Sequence, residues 1–438
     1  MGCEMAETAG PAAPRAALIG GPSEVLSTGD IQAFVRDQLR SAPLDDRSVC
    51  ILVPDGTRSC PLPVLLPAIR QALHGRVSRL TVLVALGTHA AMSEEALAAH
   101  LGCEPGALAE GFPAVLNHAW WDRSAFADVG TISAERIAEL SGGLLHAAVP
   151  VRINRAVVEH DVTIIVGPVF PHEVAGFSGG NKYLFPGVGG RELIDLSHWL
   201  GALITSAEII GTLGITPVRA LIDEAASMVP GERLAFCLVT KSRAQDLQAV
   251  AFGDPQAAWA AAAQVSARAH IRYLDAPVPR VLSLIPARYD DLWTGAKGFY
   301  KVEPIVADGG QVVLYAPHIR QIAVTHPAIE QIGYHCRDYF VRHWDRFSQL
   351  HWSDLAHSTH LRGAGTYDEI SGERCRVTVT LATGIGEDLT RAVNLDYLDP
   401  AEVDPARWAA EPGTLVVPDA GEDLYRLGPA PSAGWLAH

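Results

Sequence analysis

Short apolar runs alternate with amphipathic segments along the first two thirds of the chain. Continuous apolar runs predict buried strands at Val49–Val53, Leu80–Ala85 and Val162–Val166. Segments rich in Ala and Leu predict helices over Pro61–Leu73 and Ser93–Leu101. Strands without polar alternation that are separated by helices are typical of a parallel sheet covered on both faces. The pattern therefore predicts an α/β fold with a mainly parallel sheet in its N-terminal domain.

A second group of strand-like segments begins near Pro277–Pro279, after an Ala-rich helix predicted over Ala257–Ala269. Its members share a β-branched bias and are Val281–Pro286, Gly310–Tyr315 and Arg376–Ala382. We predict an N-terminal α/β domain over residues 1–270, a C-terminal α/β domain over residues 278–438 and a cleft between them.

Length and charge exclude several classes of protein. The chain has 438 residues, a net charge of −15 and 48% hydrophobic residues, so it can build a real core and is not predicted to be disordered. The acidic balance and the absence of Lys/Arg runs argue against a nucleic-acid partner. No apolar run reaches the roughly 20 residues that a membrane helix needs, and residues 1–17 show no signal-peptide pattern.

Seven cysteines are scattered along the chain and never form a C-x-x-C pair. This distribution excludes a disulfide framework and a zinc ribbon, and it is typical of a reducing compartment. We therefore expect a cytoplasmic protein that acts on a small molecule and has no membrane partner.

Polar loops follow the three predicted strands. Asp55–Arg58 follows the first strand, Gly87–His89 the second, and a glycine-rich segment from Gly167 to Gly187 the third. In open α/β sheets, ligands bind beyond the carboxyl ends of the strands. We expect the three loops to form one site.

The glycine-rich segment carries five glycines and three prolines around His172 and Lys182. It is not a P-loop, because Asn181 precedes the lysine and Tyr183 follows it. It is not an H-E-x-x-H zinc site either, since Gly176 stands where the second histidine is needed. A purely structural turn cluster remains the simplest alternative.

A serine nucleophile is a further alternative, because Gly176–Gly180 fits the G-x-S-x-G pattern around Ser178. That pattern requires a direct strand-to-helix turn. Here Pro168 and Pro171 separate the serine from the preceding strand, and no helix is predicted directly after it. A serine hydrolase is therefore a weak but open alternative.

Two histidines on separate loops, His89 and His172, could act as acid and base on opposite faces of a substrate, as inversion of a stereocentre requires. His198 lies sixteen residues after Lys182 in a helix-like stretch. A lone histidine there is usually a packing residue, but a shared site with Lys182 is plausible.

Taken in order, these motifs resemble those of the nickel-pincer-nucleotide-dependent lactate racemase family. The matching segments are Asp55-Gly-Thr-Arg58, Gly87-Thr-His89, Pro171-His172, Phe177-Ser-Gly-Gly-Asn-Lys182, His198 and Lys297-Gly298. The resemblance runs from about residue 50 to residue 420. The block around Lys182 is the specific part, since Asp-x-Thr-Arg alone would be a weak signal.

The resemblance implies a cofactor, pyridinium-3-thioamide-5-thiocarboxylic acid mononucleotide with nickel, attached covalently at Lys182. It implies that His198 is the nickel ligand from the protein and that Asp55, Thr57, Gly179 and Gly180 bind the cofactor. It also implies maturation by cofactor-synthesis proteins, so that protein made without them would lack the cofactor.

The resemblance further implies a racemase or epimerase that inverts C2 of a 2-hydroxy carboxylic acid by hydride transfer to and from the cofactor. His89 and His172 would be the catalytic acid/bases. The residues expected to bind the substrate are Arg58, Lys297, Trp293 and Thr294. A relative that binds the cofactor without racemising anything is the alternative within the family.

Two departures from the family pattern bear on the substrate. Trp293-Thr294 stands where the family typically has Tyr-Gln, and the histidine-rich segment from His343 to Arg362 has no counterpart that we can map. That segment is either a solvated surface helix and loop, a specificity loop with His360 and Arg362 over the cleft, or a metal site at His357 and His360. We expect a larger or more polar substrate than lactate.

Overall fold

The computed structural model describes residues 16–57, 59–104, 106–241 and 246–429. The strands of the N-terminal half are β1 Ala17–Gly20, β2 Ser48–Pro54, β3 Arg79–Ala85, β4 Val115–Asn117, β5 Phe126–Ile132, β6 Val149–Asn154, β7 Val162–Pro168, β8 Pro171–His172, β9 Gly176–Phe177, β10 Glu232–Thr240 and β11 Leu247–Gly253. Its α-helices are α1 Thr28–Ser41, α2 Leu62–Leu73, α3 Glu94–Leu101, α4 Leu108–Gly111, α5 Ala134–Leu140, α6 Arg155–Val158, α7 Arg191–Ile204, α8 Ser206–Ile209, α9 Pro217–Ser227 and α10 Pro255–His270.

Seven of these strands form one sheet in the order β1-β11-β10-β7-β2-β3-β4. The five strands from β10 to β4 run parallel, and β11 and β1 are antiparallel additions at one edge. In the middle of the sheet, Ile51 of β2 pairs with Val82 of β3 and with Ile164 of β7. The predicted parallel-rich α/β fold is confirmed.

The central strands are apolar throughout because both faces of the sheet are covered. Cys50 and Leu52 of β2 face a core shared with α7 and α9, whereas Val49, Ile51 and Val53 face a second core formed with α1, α2 and α3. A strand buried on two sides cannot show alternating polarity.

The C-terminal half contains the strands β12 Ile271–Leu274, β13 Val278–Leu284, β14 Val306–Ala316, β15 Gly365–Asp368, β16 Gly372–Cys375, β17 Thr378–Thr383, β18 Asp396–Tyr397, β19 Thr414–Val417 and β20 Leu424–Leu427. Its α-helices are α11 Leu292–Gly295, α12 Lys297–Tyr300, α13 Ile329–Ile332, α14 Arg337–Arg342, α15 Trp344–Phe347, α16 Trp352–Arg362, α17 Glu387–Ala392 and α18 Pro405–Ala409. A parallel five-stranded sheet has the order β18-β17-β14-β13-β19. The three predicted strands are confirmed as β13, β14 and β17.

The two halves are packed together through α7 and the region around α15 and α16. Trp199 of α7 stacks on Trp344 with ring centroids 5.3 Å apart and an interplanar angle of 17°. The backbone N–H of Ser353 donates to Asp195 Oδ1 over 3.1 Å. Buried residues of both halves join in one continuous core. Within the described part of the chain, no helix has the length and apolar character needed to cross a bilayer.

Candidate active site

A cleft of about 1330 Å³, including its open mouth, lies between the carboxyl ends of the two parallel sheets. The loops after β2, β3 and β7 supply one side, and the segments after β13 and β14 supply the other. The predicted convergence of three polar loops on one site is therefore confirmed. The site residues that line this cleft are Asp55, Thr57, His89, His172, Gly179, Lys182, His198, Trp293, Thr294 and Lys297. Arg58 lies outside the described residues.

Asp55, at the end of β2, is bound to groups on its own loop and on the next one. Its Oδ1 accepts a hydrogen bond from the Thr57 hydroxyl over 2.6 Å, and its Oδ2 lies 2.5 Å from His89 Nδ1. An aspartate offers only acceptors when ionised, so His89 Nδ1 is the donor. The neutral His89 ring then keeps a lone pair on Nε2.

His172 is held on a two-stranded hairpin made of β8 and β9, and only 5% of its surface is exposed. The backbone N–H of Val174 donates to His172 Nδ1 over 3.1 Å. When neutral, this ring therefore carries its proton on Nε2, which is the opposite tautomer to that of His89. Lys301 Nζ fixes the hairpin to the C-terminal half by donating to the Pro171 carbonyl over 2.7 Å.

The glycines before Lys182 are required by close packing. Gly179 has a φ of +88°, and a Cβ there would lie 2.5 Å from the Val169 side chain. Gly180 has a φ of +58°, and a Cβ there would lie 2.9 Å from Trp259 Cβ. A side chain at either position would push the loop away from its support. Gly179 lines the cleft, whereas Gly180 faces Trp259.

Arg219 also stabilises this loop, through hydrogen bonds to its backbone carbonyl groups. Its guanidinium donates to the Gly179 carbonyl over 3.0 Å and to the Phe177 carbonyl over 2.5 Å, and it lies 4.2 Å from the centroid of the Trp259 ring. Burial lowers the pKa of Arg219 to about 10, so the group is still charged at neutral pH. The segment Thr216-Pro-Val-Arg219 also matches the family pattern, but sequence reasoning assigned no role to Arg219, because nothing in this segment indicates which loop the side chain reaches.

His198 has the features of a metal ligand. Its Nδ1 donates to the Ile194 carbonyl one helical turn earlier, over 2.7 Å, which leaves the Nε2 lone pair available. Burial and the neighbouring Lys182 lower the pKa of His198, which favours the neutral, ligating form. A neutral imidazole and a lysine in one cleft fit a nickel-bearing group linked to that lysine. Within the described residues, no group of three or more His, Cys, Asp or Glu side chains is arranged to hold a metal ion.

Trp293, Thr294 and Lys297 reach the cleft from two short helices, α11 and α12, of the C-terminal half. The Thr294 hydroxyl donates to Asp291 Oδ1 over 2.7 Å, which fixes the start of α11. Lys297 Nζ lies 4.9 Å from the centre of the Tyr289 ring. The C-terminal half thus adds a cation and an indole to the cleft.

Ser178 lines the cleft, but backbone groups surround its hydroxyl. Ser178 Oγ accepts from the Phe170 N–H over 2.9 Å and donates to the Pro168 carbonyl over 3.2 Å. A serine nucleophile needs its proton directed at a base. This hydroxyl instead holds the loop in shape, which disfavours the hydrolase alternative.

The histidine-rich segment is only partly at the surface. Residues Asp354 to Leu361 of α16 are buried, so a wholly solvated helix and loop is wrong for this part. His357 and His360 line the cleft, while Arg362 donates to the Asn394 carbonyl over 2.9 Å. His326, after β14, also lines the cleft and was missed by sequence reasoning. The strand-end rule that located the N-terminal loops could have located it as well, because His326 lies in the loop that follows β14.

Comparison with known proteins agrees with this architecture. A family model, the lactate racemase N-terminal domain, matches residues 32–210. The lactate racemase of Thermoanaerobacterium thermosaccharolyticum is 30% identical over 156 residues, which are 35% of this chain and 32% of that protein. The lactate racemase of Lactiplantibacillus plantarum is 27% identical over 164 residues, or 37% of this chain and 35% of that protein. The N-terminal part of the chain is thus similar to the lactate racemases. The matches span about a third of the length of these curated relatives.

Solved structures extend the likeness of fold beyond the N-terminal half. A crystal structure of a Thermotoga maritima protein from a structural genomics programme has a TM-score of 0.83 and 29% identity, covering 94% of this chain and 100% of its own. The lactate racemase apoprotein of T. thermosaccharolyticum has a TM-score of 0.70 and 18% identity, covering 90% and 93%. The likeness of fold thus extends through both sheets.

Proposed function

We propose that this protein is a racemase or epimerase that inverts C2 of a 2-hydroxy carboxylic acid, using a nickel-pincer nucleotide attached to Lys182. The observation that carries the proposal is that His89 and His172, from different loops, line the same cleft as Lys182 and His198. A protein that only bound the cofactor would have no need of two acid/base groups in that position.

The chemistry of the substrate favours hydride transfer over proton abstraction. The C2 hydrogen of a 2-hydroxy carboxylate is a very weak acid, because the adjacent carboxylate is already an anion. Loss of hydride, together with loss of the hydroxyl proton, gives a planar 2-keto acid that can be reduced from either face. The bound cofactor would supply the acceptor and donor of that hydride, and the protein would orient the substrate and move the proton.

His89 and His172 divide the proton transfers between them. His89 Nε2, left with a lone pair by the Asp55 contact, would accept the proton of the substrate hydroxyl. His172 Nε2–H would donate a proton to the keto oxygen as hydride returns to the opposite face. In the reverse direction the two roles exchange.

The cleft also offers groups to hold the cofactor and the substrate carboxylate. Lys182 would carry the covalent link and His198 Nε2 would bind nickel, with Asp55, Thr57 and Gly179 nearby along the nucleotide. Gly180 would act by keeping the loop against Trp259. Lys297 and Arg58 would bind the substrate carboxylate, with Trp293 and Thr294 beside the rest of the substrate. Loading would require the cofactor-synthesis proteins.

The test is co-expression with the cofactor-synthesis enzymes, followed by mass spectrometry of Lys182, nickel analysis and chiral analysis of a panel of 2-hydroxy acids. We expect a Lys182 adduct, about one nickel per chain and racemisation that is lost in His89→Ala and His172→Ala. Lys182→Ala should carry neither adduct nor nickel.

Three results would contradict parts of this proposal. An unmodified Lys182 under these conditions would rule out the cofactor. A loaded protein that racemises nothing would be a binding relative only. Efficient entry of solvent deuterium at C2 would exclude hydride transfer, because a retained hydride does not exchange with water.

A further inference from the structure

A stack of three rings forms one wall of the cleft. The Trp293 indole lies between His326 and His357, with ring centroids 3.9 Å and 3.8 Å away and interplanar angles of 4° and 24°. His326 Nδ1 is held by Asp354 Oδ1 over 2.9 Å. His360, one turn after His357 on α16, also lines the cleft. This wall adjoins Thr294, on the side of the cleft that the C-terminal half provides.

Three ring nitrogens of this wall have no hydrogen-bond partner among the described residues. They are His357 Nε2, His360 Nδ1 and His360 Nε2, and the two side chains belong to residues only 8% and 4% exposed. A buried polar atom without a partner costs about 1–3 kcal/mol, so such atoms usually have a partner in the working state of a protein. Three of them, in two residues that line the same cleft, point to a polar ligand group.

The charges around the wall restrict the kind of group. Burial lowers the pKa of His360 to about 4 and holds that of His357 well below its ordinary value. The Glu173 carboxylate is near enough to act against this lowering at His360. The wall is therefore made of neutral rings beside an anion. A second carboxylate there would face Glu173, and an alkyl group would leave all three nitrogens unpaired.

We propose that His357 and His360 bind hydroxyl groups on C3 and beyond of the substrate, so that the substrate is a 2-hydroxy acid with a hydroxylated side chain. A hydroxyl group both donates and accepts, which matches neutral imidazoles that offer one N–H and one lone pair each. This inference rests on the proposed function, and it narrows the substrate to the 2,3-dihydroxy and polyhydroxy carboxylic acids.

The test uses the nickel-loaded protein and two substrates of nearly equal size. 2,3-Dihydroxypropanoate and 2-hydroxybutanoate differ by one hydroxyl in place of one methyl group. We expect kcat/KM to favour the dihydroxy acid by at least about tenfold, the equivalent of one good hydrogen bond. Two further substrates complete the panel: 2-hydroxybutanedioate, which carries a second carboxylate, and lactate, which has a shorter side chain.

Ring-preserving variants identify the groups responsible. His357→Phe and His360→Phe keep the ring volume and remove the nitrogens, so each should bring the ratio of the two kcat/KM values close to one. His343→Phe is the matched control, because His343 packs on Tyr339 and Tyr367 outside the cleft lining. A second readout is the ¹⁵N spectrum of the histidine rings in the loaded protein, in which 2,3-dihydroxypropanoate should shift His360 more than 2-hydroxybutanoate does.

The failures of the two proposals are distinguishable. If no acid in the panel is racemised although nickel and the Lys182 adduct are present, the proposed function fails. Equal or better use of 2-hydroxybutanoate or lactate overturns only the hydroxyl-binding role, as does a preference for 2-hydroxybutanedioate. If the His360→Phe variant lost its nickel, His360 would be a residue that holds the cofactor, and its proposed role in binding a substrate hydroxyl would likewise be overturned.

Discussion

Asp55 Oδ2 and His89 Nδ1 lie 2.5 Å apart, although the two residues belong to successive strand-end loops separated by an entire helix. The carboxylate side chain is only 7% exposed, whereas the imidazole is 40% exposed at the cleft. A nearly buried acceptor thus fixes one nitrogen of an accessible ring. This contact sets which proton of His89 is available for chemistry.

Replacing Asp55 by Asn should remove that control. The amide can donate to Nδ1, which favours the tautomer with the proton on Nε2 and disables His89 as a base. We expect kcat to fall roughly 10²- to 10⁴-fold. Steady-state racemisation by the loaded variant measures the effect.

The matched control for this prediction is Thr57→Val, which removes the 2.6 Å hydrogen bond to Asp55 Oδ1 and leaves the His89 contact in place. Its loss of activity should be smaller than that of Asp55→Asn. Nickel content must be measured for both variants, since a loss of cofactor would also lower the rate. An Asp55→Asn enzyme with full nickel and normal kcat would show that the contact does not matter.

The two histidines should show opposite tautomers in solution. At a pH where both rings are neutral, long-range ¹H–¹⁵N correlation spectra should place the proton of His89 on Nδ1 and that of His172 on Nε2, because Asp55 accepts from one and the Val174 N–H donates to the other. Assignment uses His89→Gln and His172→Gln. Identical tautomers at the two positions would contradict the division of acid and base roles.

Arg219→Met should destabilise the protein by about 3 kcal/mol. The substitution leaves the Gly179 and Phe177 carbonyls without their buried donor and removes the contact with Trp259. Urea unfolding followed by circular dichroism measures it. Arg391→Met, which breaks an exposed pair with Glu387, should cost less than about 0.5 kcal/mol. Equal midpoints for the two variants would contradict the supporting role of Arg219.

Acid should destabilise the fold in part through His118. This ring is buried and its Nδ1 accepts from Asn154 Nδ2 over 3.1 Å. Burial lowers its pKa to about 4, against about 6.5 in the unfolded chain. As the pH falls, the unfolded state takes up this proton at a higher pH than the folded state does. The free energy of unfolding is therefore unaffected by His118 above pH 6.5, and it falls by up to about 3 kcal/mol as the pH drops from 6.5 through 4.

Free energies of unfolding measured between pH 7.5 and pH 4.5 test this prediction. His118→Phe should show a shallower loss of stability with acid than the wild type, whatever its stability at neutral pH. His74→Phe, at an exposed position, should keep the wild-type slope. A slope unchanged in His118→Phe would mean that His118 takes up its proton equally in the folded and unfolded states.

The central strands could be predicted because burial on both faces imposes a continuous apolar run. β2, β3 and β7 appear within two residues of their predicted ends. Their loops could be assigned to one site because parallel strands place their carboxyl ends at one edge of the sheet. The division into domains at residues 270 and 278, the site roles and the cytoplasmic location stay predictions.

By itself, the sequence determined the parallel α/β class, the glycine-rich loop around Lys182 and the family resemblance, because these depend on local patterns and residue order. Only the tertiary structure decided that His326, after β14, and His357, on α16, stack on opposite faces of Trp293, and that Arg219 supports the loop before Lys182. The two stacking contacts join residues 33 and 64 positions apart, and the contact of Arg219 with Gly179 joins residues 40 positions apart. Local propensity carries no information about them, since they arise only when separate elements pack against one another.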